Sequence, residues 1–449
     1  MALAGLAGTM LDISVIREET DRVRENLRRR EDPELLERLD SVIAADDTWR
    51  EGRNRLDELR HERNQLGERI GELKREGEDE EAEQVQRRAE ALSQEITEVE
   101  QDVERAKDTR DEGLLRLPNL LHDSVPKGED EDDNQEVRRV GDPTVPDHDL
   151  LPHGELIERQ DLADFERAAK VSGAGFAYLK GDLVELDRAL QRFALDHLVE
   201  QGYEQVTTPL MMRRQPYEGV TDLADFEDVM YKVEDHDEYL IATSEHPLGA
   251  MYMDEIVDED DLPIRMAGLS NCFRREIGSH GIDTKGLFRM HQFQKVEQFV
   301  FCEPEDSWEI HEELLANAEH LFDALDLPYR VVNVCTGDIG TVAAKKYDIE
   351  VYSPRTASYR EVVSCSNCTD YQARRLNVRA GKHGGDKETA HTLNATAIAT
   401  SRAMVAILEN NQNADGTVDV PDALAPYMDA DVLGEGLDAG DDEDEGEQD

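Results

Sequence analysis

Two runs of apolar residues at seven-residue spacing constrain the fold of this chain more than any other feature. In residues 42–73, Val42, Trp49, Leu56 and Ile70 share one heptad position and Ala45, Leu59, Leu66 and Leu73 the other, with Gly52 and Arg63 interrupting the seam. In residues 85–106, Val85, Leu92, Val99 and Ala106 alternate with Ala89, Ile96 and Val103 at four-three spacing. Such a repeat presents one apolar stripe to a partner helix. Only the charged stretch Glu76-Gly77-Glu78-Asp79-Glu80 lies near the junction, so the spacing predicts an antiparallel hairpin. Each arm of roughly 32 residues reaches about 48 Å at 1.5 Å per residue. Periodicity alone leaves a generic dimerising coiled coil equally open.

Residues 1–117 are therefore read as an N-terminal helical domain whose arm spans about 42–106. Residues 118–150, rich in Pro, Gly, Asp and Glu, read as a linker or irregular crossing segment. From 151 to 430, short β-rich runs (203–208, 293–302 and 329–334) alternate with helical ones (183–201, 307–325 and 398–410), which predicts a separate α+β domain. Residues 431–449 read as an acidic, disordered tail, because GEGLDAGDDEDEGEQD has nothing to bury. No stretch of about 18 uninterrupted apolar residues marks a membrane span. The mildly apolar opening lacks a basic region, so it reads as an extension before Met10 rather than a secretory signal, and either Met1 or Met10 is open as the start. Five cysteines in 449 residues suggest no disulfide framework and point to a reducing cytoplasm.

The formal net charge is −54, from 104 Asp and Glu against 50 Lys and Arg, of which 12 are Lys. Disorder accounts for such a balance only in the tail, since apolar periodicity runs through the rest. A surface built for concentrated salt explains it better, because screening shortens the Debye length to about 3 Å at 1 M; a halophilic source is expected. So acidic a chain is an unpromising nucleic-acid binder on charge alone, and specific motifs must carry any such role.

The most informative stretch is residues 272–297, CFRREIGSHGIDTKGLFRMHQFQKVE, which reads as strand, loop, strand. Arg274, Arg275 and Arg289 cluster there around Glu276. Guanidinium forks suit phosphate and carboxylate, which accept paired hydrogen bonds; a salt-bridged surface hairpin is the plainer alternative. The stretch resembles motif 2 of class II aminoacyl-tRNA synthetases and is most similar to the seryl-tRNA synthetase family, with Met290 in place of the usual Val. The resemblance implies that Arg274, Arg275 and Glu276 contact ATP, with Arg274 on the α-phosphate, that Met290 lies against the nucleotide, and that Glu297 binds serine.

Three further stretches carry the resemblance. HTLNATAIATSRAMVAILENNQ, residues 391–412, is similar to motif 3 and implies that Arg402 grips the γ-phosphate end of a bent ATP while Thr396 bonds the serine hydroxyl. In LIATSEHP, Thr243, Ser244 and Glu245 match the family's amino-acid site, with Arg274 also near the serine. Residues 361–375 are similar to the family's E-x-S-S-C-S-N…D-x-Q-A-R-R, which implies that Glu361, Val362, Val363 and Ser364 lie along ATP and that Glu361 holds its Mg2+; Val363 replaces a common Ser, which leaves Ser364 as the hydroxyl of interest. The helix ending near Gln201 and the following GYEQVTTPLMM weakly match motif 1 and imply a homodimer.

What the resemblance implies is an α+β, class II antiparallel-sheet catalytic domain with an N-terminal coiled-coil hairpin. The activity implied is cytoplasmic serine--tRNA ligation with ATP and Mg2+ as cofactors, using Arg274, Glu276 and Arg402 for the chemistry. The implied partners are L-serine, tRNA(Ser) and, where the source has one, tRNA(Sec), with the arm reaching the tRNA across the dimer. Arg50, Arg53, Arg55, Arg60, Arg69, Arg87 and Arg88 are its candidate contacts. Cys365 and Cys368 form an isolated C-x-x-C, and without further paired ligands no zinc is expected, with His280 and His291 explained within motif 2. A prolyl or threonyl enzyme would lack the hairpin and the TSE and KVE pair, a carrier-protein aminoacylating relative would lack the hairpin, and a degenerate coiled-coil protein would have lost Arg274, Arg289 or Arg402.

Overall fold

The computed structural model describes residues 11–276, 286–382, 385 and 387–436. The opening residues to Met10, the middle of the motif 2 loop with His280, and the acidic stretch from 437 lie outside the described residues. The chain divides near Leu120 into a helical unit and a larger mixed unit.

In the helical unit, α1 (Ile13–Glu18) and α2 (Thr20–Arg28) precede the two long helices α3 (Pro33–Glu76) and α4 (Asp79–Leu115). Asp32 caps α3 by accepting from the Glu34 amide, and Pro33 stands in the first turn, where its missing N–H costs no helical bond. Gly77 ends α3 at φ +79°, a left-handed conformation that glycine adopts without a Cβ penalty. Asp79, Glu80 and Glu81 then open α4, where negative charge suits the helix N-terminus. Both helices outrun the expected arm: the 44 residues of α3 make it about 66 Å long at 1.5 Å per residue.

The seam buries Leu56, Leu59, Leu92, Ile96 and Val103, with Trp49, Leu66 and Val99 packed against them. Gly52, which breaks the heptad pattern, is a packing device: a Cβ built there would lie 2.5 Å from Val103 Cγ2. Gly113 does the same for Val42, at 2.6 Å. The expected arginines are engaged along the arm itself, Arg55 with Glu58 and Glu95, Arg60 with Glu100 and Arg88 with Glu62.

The mixed unit is built on one eight-stranded sheet. In chain order its strands are β1 (Gln135–Val140), β2 (Glu204–Val206), β3 (Ile264–Phe273), β4 (Gln292–Cys302), β5 (Tyr329–Asn333), β6 (Lys345–Ser353), β7 (Ser358–Thr369) and β8 (His391–Ala399). The spatial order is β1-β5-β6-β7-β8-β4-β3-β2. All pairs are antiparallel except β2 with β3. Helices α5 (His153–Arg159), α6 (Asp182–Glu200), α7 (Ser307–Ala324) and α8 (Thr400–Asn410) complete the elements used below.

Strand alternation splits the sheet into two faces. Val296 and Val300 of β4, Leu393 and Ala395 of β8, and Val363 and Cys365 of β7 pack with Leu186, Leu314, Leu321 and Ile407 from the helices in the main core. Their alternates point to the opposite face, which is where polar residues collect.

Two expected boundaries are corrected. The supposed linker contains β1, an edge strand of charged, exposed residues that pairs with β5, and Leu121 and Val125 are buried with Val334 and Ile339. Charge on an edge strand discourages further pairing and makes the strand read as linker. The supposed tail from 431 still belongs to the body at Val432 and Leu433, which pair with Val418 and Asp419 and bury Leu433 completely.

Candidate active site

The polar face of the sheet forms a cleft of about 430 Å3 lined by Thr243, Glu245, Arg274, Glu276, Met290, Glu297, Glu361, Val362, Ser364, Thr396 and Arg402, among others. Ligand sites typically measure roughly 300–1,000 Å3. Residues spread over 160 positions of sequence thus meet in one place, as the motif reading requires, counting from Thr243 to Arg402 inclusive (402 − 243 + 1).

Two β-bulges aim these side chains. In β7, Ile349 pairs with Val363 and Glu350 with Glu361, so Val362 is the extra residue. The inserted residue resets the alternation and lets Glu361 share the cleft with Val362 and Ser364. In β8, Thr396 pairs with Glu297 and Ile398 with Val296, leaving Ala397 as the bulge. Before it Asn394 and Thr396 face the cleft; after it Ala399 does, followed by Ser401 and Arg402 at the start of α8.

Two carboxylates, Glu297 buried and Glu245 half-buried, line the cleft near one another. Glu297 accepts from Thr396 Oγ1 at 3.5 Å and is ion-paired through the same oxygen, Oε2, with Lys295. Glu245 accepts through Oε1 from Gln372 at 3.0 Å and from Asn394 at 3.1 Å. Burial, then the nearby Glu297 charge, pushes the Glu245 carboxyl up to about 7. Burial also raises Glu297, against the opposing pull of Lys295 and Arg274. Next door, burial with Lys295 and Arg274 holds His246 down at about 3, so it is neutral, and its Nδ1 is hydrogen-bonded to the Tyr217 hydroxyl at 2.7 Å.

Two arginines line the same cleft. Arg274 is steered by its Nε bond to Ala242 O at 3.3 Å and lies over the Phe293 ring, 5.3 Å from its centroid. Arg402 donates to Glu361 O at 2.9 Å, meets its carboxylate at 3.2 Å, and lies over the Phe288 ring at 5.1 Å. Desolvation by the cleft wall opposes ionisation of Glu361, but Arg402, then Lys346 and Arg274, outweigh it and hold the carboxylate below its usual range. Glu276 sits at φ +37°, left-handed backbone that a non-glycine residue adopts at a cost and that concentrates at functional sites.

Three expected residues do not present side chains to the cleft. Ser244 is fully buried and donates to Gly268 O at 3.1 Å. Arg275 is exposed, with its backbone N–H bonded to Val229 O. Val363 points into the main core, as the bulge at Val362 dictates. Cys365 likewise faces that core, whereas Cys368 lines the cleft, so the C-x-x-C pair is split by the sheet. Among the described residues no group of three or more His, Cys, Asp or Glu is placed to hold a metal ion, and no helix is long and apolar enough to cross a membrane. Reading the sequence by motif passed over Lys295, Lys346, Gln372 and Asn394; the signal for Lys295 was its position two residues before Glu297, on the same strand face.

A model of the tRNA synthetase class II core domain (G, H, P, S and T) matches residues 231–411, and a model of the seryl-tRNA synthetase N-terminal domain matches residues 10–121. The serine--tRNA ligase of Methanocella arvoryzae is 59% identical over 421 residues, 93% of this chain and 99% of that protein. The chain belongs to the seryl-tRNA synthetase family. The crystal structure of seryl-tRNA synthetase from Pyrococcus horikoshii complexed with ATP matches with a TM-score of 0.91 at 47% identity, covering 95% of this chain and 99% of that one. The cytoplasmic serine-tRNA ligase from Naegleria fowleri in complex with AMP matches at 0.85 and 35% identity, with the same coverage. The mixed antiparallel sheet and helical hairpin are those of a class II seryl-tRNA synthetase.

Proposed function

We propose that the cleft activates L-serine with ATP and that the enzyme esterifies the product to tRNA(Ser), and to tRNA(Sec) where the source has one. The observation that carries this reading is the convergence of Arg274 and Arg402 with Glu297, Thr396 and Glu245 in one cleft. The serine ammonium meets Glu245 and Glu297, and the serine hydroxyl meets Thr396. A site built to bond a hydroxyl rejects an alanine-like analogue, because its own polar groups would be left unpaired.

A serine carboxylate oxygen attacks the α-phosphorus of ATP in line, the bond to the bridging oxygen breaks, and pyrophosphate leaves. Arg274 holds the reacting phosphate, Arg402 the far end of the triphosphate, and Glu276, Met290, Glu361, Val362 and Ser364 flank the nucleotide. Fixed guanidinium groups stabilise charge that develops in the transition state without reorganising. Glu361, whose carboxylate is kept anionic by its neighbours, would hold a Mg2+ ion bound with ATP, and that ion would neutralise part of the triphosphate charge. A terminal ribose hydroxyl of the tRNA then attacks the seryl carbonyl and AMP departs.

The arm is assigned to the tRNA, reaching it across a homodimer in the cytoplasm. The excess of acidic residues supports a source rich in salt; maximal stability in dilute buffer would rule that out. Pyrophosphate exchange measured with each of the twenty amino acids, followed by tRNA charging, tests the whole reading: serine alone should support exchange, and exchange with proline or threonine instead would overturn it.

A further inference from the structure

His153 opens α5 and is buried, far in sequence from every motif. Its Nε2 accepts from the Leu287 backbone N–H at 3.1 Å, and its Nδ1 lies 3.0 Å from Glu409 Oε1. A backbone N–H can only donate, so Nε2 carries no proton and Nδ1 donates to the carboxylate. Glu409 is buried too and also accepts from Ser353 Oγ at 2.5 Å and Arg355 Nε at 3.2 Å. With His153 and these donors around it, its carboxylate stays ionised although burial opposes this, titrating at about 2.

Both ends of this network lead to the cleft. Glu409 lies two turns beyond Arg402 on α8, at i+7 and so on the same helix face. Leu287 precedes Phe288, whose ring carries Arg402 at 5.1 Å and Arg360 at 4.9 Å, and Met290 lines the cleft. Gly286 makes the approach possible: its φ is +126°, and a Cβ there would lie 2.2 Å from His153 Nε2.

We propose that His153 is a positioning residue for the ATP site, holding the Gly286–Met290 return of motif 2 against the helix that carries Arg402. The imidazole touches no reacting atom; it fixes the height of the Phe288 platform under Arg402. A backbone amide bond to a rigid buried acceptor achieves this where a surface contact would not. The inference rests on the ATP-dependent activation proposed above. Wild-type exchange that failed with serine would sink that reading before any variant was compared.

The test is serine-dependent pyrophosphate exchange by the full chain carrying His153→Asn, His153→Gln or His153→Ala. Asparagine keeps a donor near the Nδ1 position for Glu409 but does not reach Leu287; glutamine places an acceptor near the Nε2 position. We expect the KM for ATP to rise about tenfold in His153→Asn and His153→Ala, the worth of one lost buried hydrogen bond. The KM for serine should hold, and His153→Gln should recover most of the loss. Gly286→Ala should raise the ATP KM alike and add little on top of His153→Ala. An unchanged ATP KM in folded His153→Asn, parallel rises in both KM values, or a glutamine variant as impaired as the asparagine one would each overturn the proposal. If the His153 variants do not fold, Gly286→Ala decides it, and an unchanged ATP KM there refutes it.

Discussion

Thr396 stands directly opposite Glu297 across two neighbouring antiparallel strands, and its hydroxyl donates to the Glu297 carboxylate at 3.5 Å although 99 residues separate them. The register that creates this pair is set by the bulge at Ala397 one position later. A hydroxyl and a carboxylate locked side by side form a small, specific receptor. Replacing Thr396 by Val keeps the shape and removes the hydroxyl. A hydrogen bond between two neutral hydroxyls is worth about 0.5–1.5 kcal/mol, so the KM for serine should rise roughly 2- to 13-fold, with the KM for ATP unchanged. Steady-state exchange kinetics check this, and equal losses for both substrates would show that Thr396 acts on the whole cleft instead.

The Glu245 carboxyl is raised to about 7 by burial and by Glu297, so its proposed role in serine capture predicts a pH dependence. An ammonium substrate needs the ionised carboxylate, and protonation grows as pH falls through 7. The kcat/KM for serine, which reports the free enzyme, should therefore decline below about pH 7 and level off above it. Glu245→Gln should lower kcat/KM and flatten that limb. A profile in the variant that keeps the same inflection would assign the titration to another group.

Arg274 and Arg402, both proposed to hold phosphate, line one cleft in different surroundings. Arg402 already has a carboxylate partner in Glu361, whereas Arg274 is held through Nε by a carbonyl and lies on the Phe293 ring. Removing a donor aimed at developing charge costs on the order of 10²–10³ in rate. Arg274→Ala should accordingly lose that much in the rate of adenylate formation while serine binding changes little. Single-turnover measurements separate the two, and a loss confined to substrate affinity would contradict a transition-state role.

How much of this was legible in the sequence follows from the range of each signal. Heptads are local, so the helices around Leu56 and Leu92 were evident; Gly52 read as a defect because its partner, Val103, is 51 residues away (103 − 52). The motif strands announced Arg274, Glu297 and Thr396. Their parity was not readable past a bulge, which is why Val363 was expected along ATP and instead faces the core. Strand β1 was hidden by its charge, and His153 and Glu409 by distance: their bond spans 256 residues, and no local pattern distinguishes a buried histidine from an exposed one.

Asp46 anchors the base of the hairpin. Arg17 grips it through two nitrogens at 2.6 and 2.7 Å, Arg110 approaches at 3.4 Å, and Trp49 lies under the Arg110 guanidinium at 4.7 Å. Burial opposes ionisation of Asp46, but the hydrogen bond and charge of Arg17, then those of Arg110, prevail and lower its pKa. Such a depressed carboxylate stabilises the fold above the unfolded-state pKa and loses that contribution as pH falls through the folded one. Breaking a buried pair costs about 3–5 kcal/mol; since Arg17 keeps a third of its side chain in water, Asp46→Asn should cost less, about 2–3 kcal/mol. Urea unfolding of the variant at pH 7 and near pH 3 tests this, because the gap from wild type should narrow at the lower pH.

If the arm binds tRNA as proposed, it does so against an unfavourable charge balance, with several of its arginines already paired. Arg55, Arg60 and Arg88 are held by Glu95, Glu100 and Glu62 of the facing helix, all exposed at the surface. Exposed pairs of this kind contribute about 0–1 kcal/mol each, so exchanging a glutamate for a phosphate costs little when the RNA shape fits. Salt weakens phosphate contacts further, which shifts the burden to the form of the RNA helix, a common basis of RNA recognition. Deleting residues 42–106 and closing the gap with a short turn removes the seam of the arm but none of the cleft residues. Serine-dependent pyrophosphate exchange should survive that deletion within about twofold, since its transition-state contacts all lie in the cleft, while tRNA charging should vanish. Loss of both activities, or of neither, would refute the division of labour between the two units.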